Sequence, residues 1–154
     1  MDPLVFKAIN KAHVALDHGK KTLVVVQGVT FARRCENHGL YPLLDLVDDH
    51  PDMEDAVIGD RLIGRAAALL CALLKPRAVF GLAVSDAALE ILEANGVLAT
   101  WKETVPFIVE KGELSVPSRA DVLVADVTDP QQAYELLRAA YPGEANVEES
   151  STTQ

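Results

Sequence analysis

The chain is poor in cysteine, in aromatic residues and in any block of one charge. Two cysteines, Cys35 and Cys71, among 154 residues make no disulfide framework, so the fold must rest on an ordinary packed core, and the cytoplasm is the default compartment. Aromatic residues make up 5%, which leaves the core to Leu, Val, Ile and Ala. The bases never run longer than the pairs Lys20-Lys21 and Arg33-Arg34, and 23 acids against 14 bases give a net charge of −9. A nucleic-acid polymer held by counterion release needs a basic face; such partners are disfavoured, while a local basic pocket is still allowed. Lys75 and Arg77 end the longest apolar stretch, short of the roughly 20 residues that span a bilayer. The N-terminus also lacks the basic start and apolar block of a signal peptide.

What is present is a hydrophobic fraction of 49%, enough for one buried core over residues 1–141. Residues 142–154, rich in Glu, Ser and Thr, read as a disordered acidic and polar tail. Leu4, Ala8, Ala12, Ala15 and Leu16 share a helical stripe over 3–17, with Asp2 as cap and Pro3 in the first turn. Thr22–Val26 is a β-branched strand, turning at Gln27-Gly28 into a partner over 29–32. The stretch 35–55 reads as an irregular connection with a turn of helix near 43–47. A long helix is expected from Gly59 to Leu74, apolar throughout from Ala66. Ala78–Val84 reads as a covered central strand, followed by a helix over 87–94 capped at Ser85-Asp86. Short strands are expected at 97–100 and 104–109, residues 120–127 fit strand or helix equally, and 130–141 is a helix capped by Asp129. This order predicts an α/β fold with helices on both faces of a sheet.

The blocks Asp60-Arg61-Leu62-Ile63-Gly64-Arg65-Ala66-Ala67-Ala68-Leu69-Leu70, Val84-Ser85-Asp86-Ala87-Ala88-Leu89-Glu90 and Asn95-Gly96-Val97 resemble the uncharacterised prokaryotic family known as domain of unknown function 1893. Gly39-Leu40-Tyr41-Pro42-Leu43-Leu44 and Thr22–Val26 extend the resemblance. It covers residues 3 to 108 or so and weakens beyond, where Val116-Pro117-Ser118-Arg119 keeps only the proline of the family's Cys-Pro-Met-Glu-like element. The resemblance implies a three-layer α/β/α fold, a mixed sheet like that of the cytidine deaminases, without their metal centre.

Deaminase chemistry needs a zinc-activated water, held by His or Cys at one helix start and Pro-Cys-x-x-Cys at the next, with a Glu to move the proton. On this alignment, Leu62-Ile63-Gly64-Arg65-Ala66 supplies neither ligand nor Glu, and Val84, Ser85 and Ala88 stand where Pro, Cys and Cys would be. Zinc-dependent deamination is therefore expected to be absent, with no cofactor and no metal site. Cys35-Glu36-Asn37-His38 has ligand spacing but is half a site, since structural zinc takes four ligands. Cys71 reads as a small core residue, and His13, His18 and His50 form no triad. No Gly-x-Gly-x-x-Gly or P-loop pattern occurs.

The remaining candidate site gathers Asp60, Arg61, Gly64, Arg65, Ser85 and Asp86. Gly64 in a helix costs about 1 kcal/mol relative to Ala, explained either by close helix packing or by access for a ligand. Arg61 and Arg65, four apart, would lie on one face of the first turn, where free amides and two cations favour an anion. They would equally be occupied by surface pairing with Asp55 and Asp60, and Ser85 and Asp86 by capping alone. Helix starts at the carboxyl end of a sheet are where α/β proteins take ligands. The expected function is binding of a small anionic ligand of the nucleotide or nucleotide-sugar class. The alternatives are a metal-independent enzyme using Asp60 or Asp86, and a homo-oligomeric interaction module with a vestigial pocket.

Overall fold

The structure, a computed structural model, describes residues 2–37, 39–110 and 113–143; the expected tail from 144 onward and His38 lie outside them. Helix α1 (Pro3–His18) begins where Asp2 Oδ1 accepts the Leu4 amide at 2.9 Å. Strands β1 (Leu23–Gln27) and β2 (Thr30–Cys35) form the expected hairpin. Gly28, at φ 64°, supplies the positive φ that a two-residue hairpin turn of this hand needs at its first position. Helix α2 (Tyr41–Asp49) follows, then β3 (Ala56–Ile63), α3 (Arg65–Leu74), β4 (Ala78–Ser85), α4 (Asp86–Ala94) and β5 (Leu98–Val105). A small hairpin, β6 (Val109–Glu110) and β7 (Glu113–Pro117), leads to α5 (Arg119–Leu123) and α6 (Pro130–Ala140).

The main sheet runs β2-β1-β3-β4-β5, with β1 antiparallel to both its neighbours and β3, β4 and β5 parallel. Its two faces carry separate clusters, which makes three layers. Val24, Val26, Val57 and Phe80 pack beneath α1, while Leu23, Val25, Ile58 and Val79 pack beneath α3 and its neighbouring helices. Alternate residues of β1 and β3 thus serve both faces, which is why these strands read as continuous apolar runs.

The expectation that fails most consequentially is the helix from Gly59. Gly59, Asp60, Arg61 and Leu62 are strand β3, and α3 begins only at Arg65 with Gly64 as its N-cap. The stretch expected to be irregular holds a nine-residue helix, the two short strands after Val97 are largely one strand, and the ambiguous 120–127 contains the short α5. Asp129 caps α6 as expected, accepting from the Gln132 amide at 2.9 Å.

At Gly59 helix α1 lies close against the sheet. A Cβ there would lie 2.9 Å from Ala12 Cβ and 3.0 Å from Val24 Cγ2. Neither atom ends a flexible chain, so Gly59→Ala must lift α1 from β3. We expect a loss of about 1–3 kcal/mol, read from urea unfolding; an unchanged midpoint would show that the contact is looser than described.

Candidate functional site

Strands β3 and β4 pair in parallel to the end of β3, where Ile63 meets Val84, so α3 and α4 start side by side at one edge of the sheet. At α4, Ser85 is buried and its Oγ accepts the Ala88 amide at 3.2 Å. Asp86 opens the helix and is exposed, where a carboxylate favours the positive end of the helix dipole.

At α3 the cap is Gly64, which has no side chain to offer. The missing acceptor comes from another element. Asp121 in α5 reaches across, its Oδ1 accepting the Ala66 amide at 2.8 Å, and a Cβ on Gly64 would stand 2.1 Å from Asp121 Oδ2. Gly64 therefore gives room to a carboxylate of the chain itself. Burial raises the Asp121 pKa above its ordinary value, opposed by the Ala66 and Arg65 amides and by the Arg65 charge. Arg65 in turn donates from Nε to the Val124 carbonyl at 2.7 Å and from Nη2 to that of Val127 at 2.6 Å. These bonds fasten the segment after α5 over the start of α3.

The two arginines do not share a face. Arg61 points to the α1 side, donating from Nε to the Lys21 carbonyl at 2.7 Å and from Nη2 to that of Gly19 at 2.6 Å. Neither arginine forms an ion pair with Asp55 or Asp60 among the described residues; backbone carbonyls hold both. Asp60 does not stand in the first turn of a helix. It lies in the middle of β3, and burial pushes its carboxyl up to about 8, opposed by hydrogen bonds from the Leu62 and Arg61 amides. The residue keeps some contact with solvent, which trims the size of this effect and leaves its direction. Its charge joins burial in raising Cys71, deep in α3, and contributes less to the rise at Cys35. Both thiols thus stay protonated and are poor nucleophiles. Among the described residues no cluster of three or more His, Cys, Asp or Glu is placed to hold a metal.

Of the six residues singled out in the sequence, Gly64, Arg65, Ser85 and Asp86 stand at this edge; Asp60 is set back in β3 and Arg61 serves the opposite face. Sequence reasoning misses Asp121. The Ser118-x-x-Asp121 spacing, in which Ser118 Oγ accepts from the Asp121 amide at 3.5 Å, marks a helix start, but nothing in the sequence says where that helix docks.

Paired helix starts at the carboxyl edge of a mixed sheet define a layered α/β protein with a polar junction at that edge. The chain belongs to the family described as Domain of unknown function (DUF1893), whose model matches residues 11–140. Its structure is similar to the crystal structure of a DUF1893 family protein from Thermotoga maritima, at 21% identity and a TM-score of 0.78 over 91% of each chain. At that identity the likeness concerns the fold alone. No curated protein matches the chain.

Proposed function

We propose that this chain is a zinc-free protein of cytidine-deaminase-like fold that binds a small anionic ligand, of the nucleotide or nucleotide-sugar class, at the starts of α3 and α4. The observation carrying this reading is the seat of Asp121. The first turn of α3 already takes an anion, with an amide donor at 2.8 Å and Arg65 beside it. A phosphate would compete for that seat, displacing a carboxylate whose burial weakens its hold on charge. Ser85 and Asp86 would meet the polar edge of the ligand. Gly64, Ser85 and Ala88 offer no group that ligates zinc strongly, which supports the zinc-free part of the reading.

A thermal-shift series with AMP, UDP-glucose and inorganic phosphate tests it. A ligand at one hundred times its Kd stabilises by about 2.7 kcal/mol, a rise of several degrees. We expect such a rise in the native chain, a larger one in Asp121→Ala, where the competing carboxylate is gone, and none in Arg65→Ala. If no phosphate compound stabilises either the native chain or Asp121→Ala, the proposal fails.

A further inference from the structure

A break in the acidic character of this chain lies on the opposite face of the sheet, between α1 and β2. Helix α1 covers β1, β3 and β4 and leaves the outer strand β2 beside it. Between them runs a groove of about 770 Å³, within the range of small-molecule sites. Its cations are Lys7, Lys11, Lys21 and Arg34, its apolar floor includes Val14 and Phe31, and no Asp or Glu lines it.

A β-bulge builds this arrangement. Val25 pairs with Arg33 and Val26 with Phe31, so Ala32 is the extra residue in β2. Strict alternation would send Phe31 and Arg34 to opposite faces; the bulge puts both on the face of α1. The Phe31 ring then carries two cations, with Lys11 Nζ and the Arg34 guanidinium carbon each 4.8 Å from its centroid. Lys21 is tied to Glu36 at 2.5 Å, whereas Lys7, Lys11 and Arg34 have no acidic partner among the described residues. Like charges gathered in one groove repel one another, and an anion seated among them would relieve that repulsion.

We propose that this groove binds a small amphipathic anion, an apolar chain bearing one carboxylate. Its apolar body would lie along the exposed side of α1 over Val14 and Phe31, and its head between Lys11 and Arg34. The stripe of α1 from Lys7 to His18 spans about 16 Å at 1.5 Å per residue, which favours an elongated ligand over a compact one. The overall net charge of −9 argues against an anionic membrane surface as the partner. This site is separate from the junction at α3, and Asp121 and Arg65 play no part in it.

Displacement of the fluorescent probe anilinonaphthalene sulfonate by dodecanoate tests the proposal on the full chain. Dodecanoate should displace the probe and dodecanol should not. Lys11→Gln and Arg34→Gln should each raise the dodecanoate Kd about tenfold, the effect of removing one charged partner. Lys102→Gln, on β5, should leave it unchanged, and thermal unfolding would verify that each variant is folded. Equal displacement by dodecanol, unchanged binding in both groove variants, or binding to phosphatidylserine vesicles without binding of monomeric dodecanoate would each overturn it.

Discussion

Asp60→Asn should make the protein more stable at alkaline pH and leave it nearly unchanged in acid. Asp60 holds its proton in the folded chain up to about 8, against an ordinary value of 3.8. Across that window the native state keeps a proton that the unfolded chain has released, so stability falls as pH rises. At about 1.4 kcal/mol per tenfold change in proton affinity the upper bound is about 6 kcal/mol. Solvent contact at the residue lowers this, and a gain on the order of 3 kcal/mol above pH 8 is expected. Asparagine keeps the shape and an acceptor oxygen, so the change removes the charge with little change in volume. Asp121 shifts in the same direction, and some alkaline weakening should therefore persist in the variant. Urea unfolding at several pH values would check the difference. A native chain as stable at pH 9 as at pH 5, matched by the Asp60→Asn variant, would show that the carboxyl is far better solvated than its packing implies.

The same residue explains why the central region misleads a reading of the sequence. Gly59, Asp60, Arg61 and Gly64 interrupt the apolar run with residues that favour turns or solvent, and the all-apolar block from Ala66 invites an extension of the helix backward. What makes 56–63 a strand is pairing with β1 on one side and β4 on the other, which no local pattern records. Where local chemistry suffices, the sequence is legible. Thr22–Val26 and Ala78–Val84 carry their burial in their composition, and Asp2, Ser85 and Asp129 cap helices through bonds within three residues. The start of α4 is legible for the same reason, whereas the start of α3 is not, because Gly64 reads as the interior of a helix from Gly59 and its cap acceptor, Asp121, is distant in sequence. The roles of Arg61 and Arg65 are not legible either, because their partners are the carbonyls of Gly19, Lys21, Val124 and Val127, distant in sequence. Phe31 and Arg34 share a face only because of a bulge whose position depends on register with β1.

The junction at α3 predicts a strong coupling between Gly64 and Asp121. Gly64 sits at φ −99° and ψ −168°, a conformation alanine adopts without strain, so Gly64→Ala acts through space alone. Its Cβ would fall 2.1 Å from Asp121 Oδ2, and the carboxylate must swing away from the Ala66 amide. The loss combines the cap bond, about 1–2 kcal/mol, with the displacement of the Asp121 carboxylate from its packed position; about 2–3 kcal/mol in total is expected. Asp121→Ala removes the same cap without a clash and should lose about 1–2 kcal/mol. Once Asp121 is truncated, the space above Gly64 is open, and adding Gly64→Ala should lose little more. The double variant should thus be about 2–3 kcal/mol more stable than the sum of the singles predicts. Urea unfolding of the four chains measures this directly. Simple additivity would mean that Asp121 does not occupy the start of α3 in solution, and the competition on which the phosphate site depends would go with it.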